Sequence, residues 1–133
     1  MKKLLLFFVL VLVPLTMLNA QWVSPGNGTT YTLPDLVSIS NGAVTNDGTV
    51  FSFNSDITIS ANDVLKIDDQ VTRIDAVGVL ITINGSMVCT NATRVGIYGS
   101  MTQSQQFSMR FENATNCELK TLYFSDGCGI KVI

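Results

Sequence analysis

The tripeptide Ile57-Thr58-Ile59 returns as Ile81-Thr82-Ile83, a step of 24 residues for each isoleucine. In both copies a threonine sits between two β-branched apolar residues, a polar turn follows, and another apolar run comes next. Strand-sized apolar pieces recurring at a fixed interval bury their side chains by stacking on the copies before and after them. The repeat therefore constrains the chain toward a solenoid. Alternation along a strand sends Ile57, Ile59, Ile81 and Ile83 to one face and Thr58 and Thr82 to the other. Ile57 is predicted to lie under Ile81, and Ile59 under Ile83, at the strand spacing of about 4.8 Å.

Further strand-sized runs extend the pattern. With Ile57, Ile81, Phe107 and Ile130 as markers of one series, the steps are 24, 26 and 23 residues. A second series joins Val64 to Ile67 with Met87 to Cys89. A third joins Val71 to Ile74, Val95 to Tyr98 and Leu122 to Phe124. Polar bends separate them: Asn62-Asp63, Asp68-Asp69, Asn84-Gly85, Asn91-Ala92, Gly99-Ser100 and Asn113 to Asn116. Three sides per coil at this period predict an all-β chain, a right-handed parallel β-helix of about three coils over residues 56–133. An antiparallel β-sandwich also uses many short strands, but it has no reason to repeat Ile-Thr-Ile at a fixed step.

Residues 21–55 read as an N-terminal cap. Pro25 to Gly28, Asn41-Gly42 and Asn46-Asp47-Gly48 are turn signals. Strand candidates between them are Thr30 to Thr32, Leu36 to Ser40 and Val50 to Phe53; helical periodicity is absent after residue 20, with a short turn near Pro34-Asp35-Leu36 as the one exception. The chain closes on Gly129 to Ile133, an apolar strand with no polar terminal coil. Such an end is expected to continue into further coils or to self-associate, because it leaves an unpaired edge.

Residues 1–20 have the layout of a cleaved secretory signal peptide: Lys2 and Lys3, an apolar run from Leu4 to Leu18, then Asn19-Ala20, with Gln21 as the first mature residue. The apolar run is short for a membrane span, which leaves an uncleaved anchor as the lesser alternative. Without Lys2 and Lys3 the chain has 6 basic residues against 10 acidic, a net charge of −4. That balance argues against a nucleic-acid partner, whose phosphates need a basic footprint. The expected location is secreted or at the cell surface.

The run Tyr31 to Val37, Asn41 to Thr45, Asp56 to Ile67 and Ile81 to Gly85 resembles the start of secreted right-handed β-helix proteins of the pectate-lyase-like type common in Bacteroidetes. Phe111-Glu112-Asn113 is similar to a motif that such proteins place in a later coil. The resemblance covers nearly all of residues 21–133. It implies an exported scaffold that usually ends in a sorting domain read by type IX secretion, so this chain looks like the N-terminal portion. It also implies, as the alternative function, a polysaccharide lyase or glycoside hydrolase with its active site in later coils.

Within this segment no catalytic, cofactor-binding or metal-ligating set is predicted. Asp68-Asp69 reads as a charged turn. Asp63, Asp69 and Asp75 are the carboxylates that a calcium site would draw on, but they lack the density of a loop built for oxygen ligation. Arg73, Arg94 and Arg110 do not keep the coil period, and the chain has no His. Glu112 and Asp126 read as a surface strand residue and a turn, without the spacing of a glycosidase pair. Cys89, Cys117 and Cys128 read as small, mostly buried thiols, with a Cys117–Cys128 bridge as the alternative. Asn27, Asn84, Asn91 and Asn113 begin Asn-x-Ser/Thr triplets, read here as turn residues, with Asn91 and Asn113 spaced to stack. Trp22, Tyr31, Tyr98 and Tyr123 are the aromatics available to stack on sugar rings or to seal corners. The expected function is a binding, adhesive or structural surface module whose partner is a polysaccharide or surface protein.

Overall fold

Ile57 pairs with Ile81, Thr58 with Thr82 and Ile59 with Ile83 in adjacent parallel strands, the stacking that the repeat predicts. The computed structural model describes residues 21–127 and 129–133. The leader read over residues 1–20, and Cys128, lie outside the described residues. In chain order the elements are β1 (Trp22–Val23), β2 (Thr30–Thr32), α1 (Leu33–Ile39), β3 (Val44–Asn46), β4 (Phe51–Phe53), β5 (Ile57–Ile59), β6 (Val64–Lys66) and β7 (Arg73–Ala76). They continue as β8 (Leu80–Ile83), β9 (Ser86–Cys89), β10 (Val95–Tyr98), β11 (Ser108–Phe111), β12 (Glu118–Leu119), β13 (Leu122–Ser125) and β14 (Gly129–Val132).

These strands wind into a parallel β-helix with three faces. The first sheet has the order β1-β5-β8-β11-β14, the second β2-β6-β9-β12, and the third β3-β4-β7-β10-β13. Strands β5 to β7, β8 to β10 and β11 to β13 each make one coil. Strands β1, β2 and β4 lay a preceding rung on the three sheets, so residues 21–55 add a rung as well as a helix. Inward side chains fill the axis: Ile57, Ile59, Leu65, Ile74, Ile81, Ile83, Met87, Ile97 and Met109 are all buried. Each such side chain contributes about 1.5–3 kcal/mol through removal from water, which is how short strands hold together once stacked.

The segment Leu36 to Ser40, read from sequence as a strand, belongs to helix α1. Thr32 caps the helix: its hydroxyl accepts from the Asp35 N–H at 3.3 Å, and the Asp35 carboxylate accepts from the Thr32 N–H at 2.8 Å. This reciprocal capping box, with Pro34 in the first turn, nucleates a helix too short to show a helical period. Leu33 and Leu36 fall on one side of it and are fully buried. Beyond the helix, β3 runs antiparallel to β4 at the edge of the third sheet. Trp22 and Tyr31 meet edge to face at 5.6 Å over the same end.

The marker Phe107 is also displaced. Ile81 pairs with Met109, and Met109 with Ile130, so the first-sheet steps are 24, 28 and 21 residues. A 3-10 turn at Gln103–Gln105 lengthens the corner before β11 and shifts the register by two. A shift of two keeps the alternation, so Phe107 remains buried and packs beside Phe124 at 6.1 Å. Strand β12, which the sequence pattern did not reveal, adds Glu118 and Leu119 to the second sheet.

Candidate functional site: the outer face of the third sheet

Alternation in β7, β10 and β13 turns Ile74, Val95 and Ile97 into the core and leaves Arg73, Asp75, Gly96, Tyr98, Tyr123 and Ser125 outside. The register sets Arg73, Gly96 and Tyr123 in one row across the coils. Ser52, Asp75, Tyr98 and Ser125 form the row beside it. Gly96 decides how these side chains sit. A Cβ there would stand 2.5 Å from Cε2 of Tyr98 and 2.6 Å from Cζ of Tyr123, so the far ends of both rings occupy its space. A glycine in a strand interior marks a close approach of this kind.

The two rings meet edge to face, with centroids 5.7 Å apart and planes at 86°. Their hydroxyls hydrogen-bond to each other. That bond, together with partial desolvation, pushes the Tyr98 phenol above its ordinary pKa. The Arg73 guanidinium lies over the Tyr98 ring, 4.6 Å from its centroid. Its Nε donates to Asp75 Oδ1 at 2.8 Å, which holds the guanidinium pKa above its usual value. The result is an aromatic pair, Tyr123 exposed and Tyr98 half-buried, braced by a compensated ion pair, with serine hydroxyls at both ends of the row. It can stack on a ligand and hydrogen-bond it.

Most of the carboxylates singled out in the sequence have structural partners, whereas the side-chain oxygen of Asn84 is buried without a hydrogen-bond partner among the described residues. Asp63 is fully buried, and its carboxylate accepts from the N–H groups of Gly26 at 2.7 Å, Gly28 at 2.9 Å and Thr29 at 3.0 Å. Asp69 accepts from the Ala92 N–H at 3.3 Å, and Asp68 pairs with Lys66 at 3.5 Å. Glu112 pairs with Arg110 at 3.1 Å on the outer face of the first sheet, a different face from Arg73. Asp126 accepts from the Ser125 hydroxyl at 3.0 Å in a left-handed turn, φ 58°. Among the described residues no three His, Cys, Asp or Glu side chains converge as metal ligands would.

Asn91 is buried and donates to the Asp68 carbonyl at 2.6 Å in the coil below. It does not stack on Asn113, which instead takes a left-handed turn with φ 53°. Cys89 is buried and Cys117 exposed, both as free thiols, so the sequence reading of buried thiols holds for the first and not the second. Tyr31, counted from sequence among the exposed aromatics, is buried at the N-terminal end. Of the four aromatics only Tyr98 and Tyr123 come together on an outer face. The sequence named both. Their meeting depends on Gly96, which no periodicity marks. No family model matches this chain, and no curated protein or solved structure does.

Proposed function

We propose that this chain is an exported parallel β-helix that binds carbohydrate through the outer face of its third sheet, as a recognition surface rather than an enzyme. The observation that carries the reading is the Tyr98–Tyr123 pair, set on the outer face of adjacent coils and braced by Arg73. Tyrosine rings present a large apolar surface with a polar tip, suited to the C–H faces and hydroxyls of a sugar. The leader layout read from the sequence of residues 1–20 supports export. The finer class we propose is the pectate-lyase-like exported β-helices, supported by the motif run from Tyr31 to Gly85 and by the three-faced architecture.

The test is expression with the leader, recovery of protein beginning at Gln21 from outside the cell, and titration of that protein with a panel of soluble polysaccharides. At least one glycan is expected to bind, with Tyr98→Ala and Tyr123→Ala each weakening it about fivefold, the equivalent of about 1 kcal/mol of stacking. Failure of every glycan to bind, or wild-type affinity in both variants, would end this reading.

Partnership with a further copy is a second part of the proposal. Strands β12, β13 and β14 are the outermost strands of their sheets at one end. There Ile130 is 48%, Ile133 61% and Val132 78% exposed, around an apolar cavity of about 280 Å³ that also takes in Phe111 and Leu119. An open edge with an apolar face favours association. The protein beginning at Gln21 is expected to self-associate in light scattering, and Val132→Lys to shift it toward monomer. A monodisperse wild-type monomer would contradict this.

A further inference from the structure

The same two tyrosines are placed for a covalent reaction that sugar binding does not use. Tyr98 Cε2 is an ortho carbon of its phenol. It lies 2.5 Å from the point where a Gly96 Cβ would stand, and Tyr123 Cζ and Oη lie 2.6 and 2.7 Å from that same point. The reactive edge of one phenol therefore adjoins the hydroxyl end of the other, across two coils joined by the β10–β13 ladder. Tyr123 is 38% exposed and so is open to an external oxidant, whereas Tyr31, which packs edge to face against Trp22, is buried.

We propose that Tyr98 and Tyr123 form an intramolecular dityrosine cross-link under hydrogen peroxide and a peroxidase, stapling the coil of β10 to the coil of β13. Each phenol gives up one electron and one proton to become a phenoxyl radical. The two radicals join through a carbon–carbon bond between ortho carbons. Each ortho carbon then loses its hydrogen as a proton while the adjacent oxygen takes one up, which restores both phenols. The pair has lost two electrons and two protons, and hydrogen peroxide accepts them to give two waters. Proximity makes the reaction intramolecular: a radical on one ring meets its partner already in contact, at an effective concentration far above that of another molecule. The hydrogen bond between the hydroxyls offers a path for a departing proton. This inference is independent of whether a glycan binds.

The test treats dilute protein with peroxidase and hydrogen peroxide and reads dityrosine fluorescence, mass, and the tryptic map. The expected product is a monomer lighter by two hydrogens, with the peptide of residues 95–110 joined to that of residues 121–131. Tyr98→Phe and Tyr123→Phe should each lower the yield at least about tenfold, as should unfolding in urea, because each removes the held geometry. Gly96→Ala keeps both phenols but fills the space their edges share, and should lower the yield while circular dichroism stays unchanged. Equal yield in either Phe variant, links to Tyr31, or cross-links found only between molecules would overturn the assignment.

Discussion

Replacing Asp63 with Ala should cost about 3 kcal/mol of stability, the upper end of the range for hydrogen bonds to a charged group. Asp63 sits in the bend between β5 and β6, in the coil above the Pro25 to Thr29 loop. Its carboxylate satisfies three N–H groups of that loop. Alanine removes the acceptor of all three donors at a part-buried site. Asn keeps one oxygen acceptor but turns an N–H₂ group toward other donors, and a loss of about 2 kcal/mol is expected for Asp63→Asn. The damage should begin locally. Hydrogen exchange is expected to rise first in β1 and β2, the strands that this loop joins, before the later coils respond. Equal loss of protection in every coil would mean that the carboxylate does not fasten the first rung.

The acid response follows from the same contacts. Burial alone would raise the pKa of Asp63. Hydrogen bonds from the Ser24 side chain and from the Gly26, Thr29 and Gly28 N–H groups outweigh burial and hold it below the usual carboxylate value. A carboxyl whose folded pKa is depressed adds stability that is fully present above its unfolded pKa, about 3.9, and is lost as pH falls through the folded value. Asp35 and Asp47 are shifted the same way by the Thr32 cap and by the Thr49 and Val50 N–H groups. Acid unfolding of the wild type therefore mixes several carboxyls. The gap in urea midpoint between wild type and Asp63→Asn isolates Asp63: it should be flat from neutrality to about pH 5 and narrow below about pH 4. A gap that stayed constant down to pH 2, or widened on acidification, would contradict the assignment.

How much of this was legible in the sequence depends on which force sets each feature. The Ile57 and Ile81 stacking was readable because inward burial imposes strict alternation, and alternation leaves a mark in composition. The pairing of Ile81 with Met109 was not. Corner length is set by the 3-10 turn at Gln103–Gln105, which is exposed and therefore free of any apolar pattern. Helix α1 was hidden by its brevity, since seven residues barely complete two turns, yet Thr32, Pro34 and Asp35 carried its start signal. Tyr98 and Tyr123 were visible as aromatics, but their contact needs the Gly96 to Tyr123 register and the missing side chain between them. Asp63 looked like any carboxylate in a bend. Its partners lie far upstream in the chain, and only the winding of the coil brings them together.

Two glycines that look alike in sequence should respond oppositely to alanine, and the contrast tests the stacking directly. Neither Gly85 nor Gly96 has a positive φ, so backbone strain does not enter for either. At Gly85 a Cβ would stand 2.1 Å from the Asp63 carbonyl oxygen and 2.5 Å from that of Ser60. Both are backbone atoms of the coil below, and they cannot swing aside. This corner is also where the coils are tied: Asn84 N–H donates to the Ile59 carbonyl at 2.8 Å, Ser86 N–H to the Asp63 carbonyl at 2.9 Å, and Thr115 N–H to the Gly85 carbonyl at 3.0 Å. A methyl group must therefore part the coils and stretch these bonds, at a cost of about 3 kcal/mol or more. At Gly96 the nearest atoms are the far ends of two tyrosine rings on an outer face, which can rotate outward. There the cost should stay below about 1 kcal/mol, because alanine also removes the entropy penalty of glycine in a strand. Thermal unfolding of the two variants decides the matter. A large loss at Gly85 with little change at Gly96 is the result that stacked coils require. Equal effects at the two positions would mean that the Asn84-Gly85 corner does not rest on the backbone beneath it.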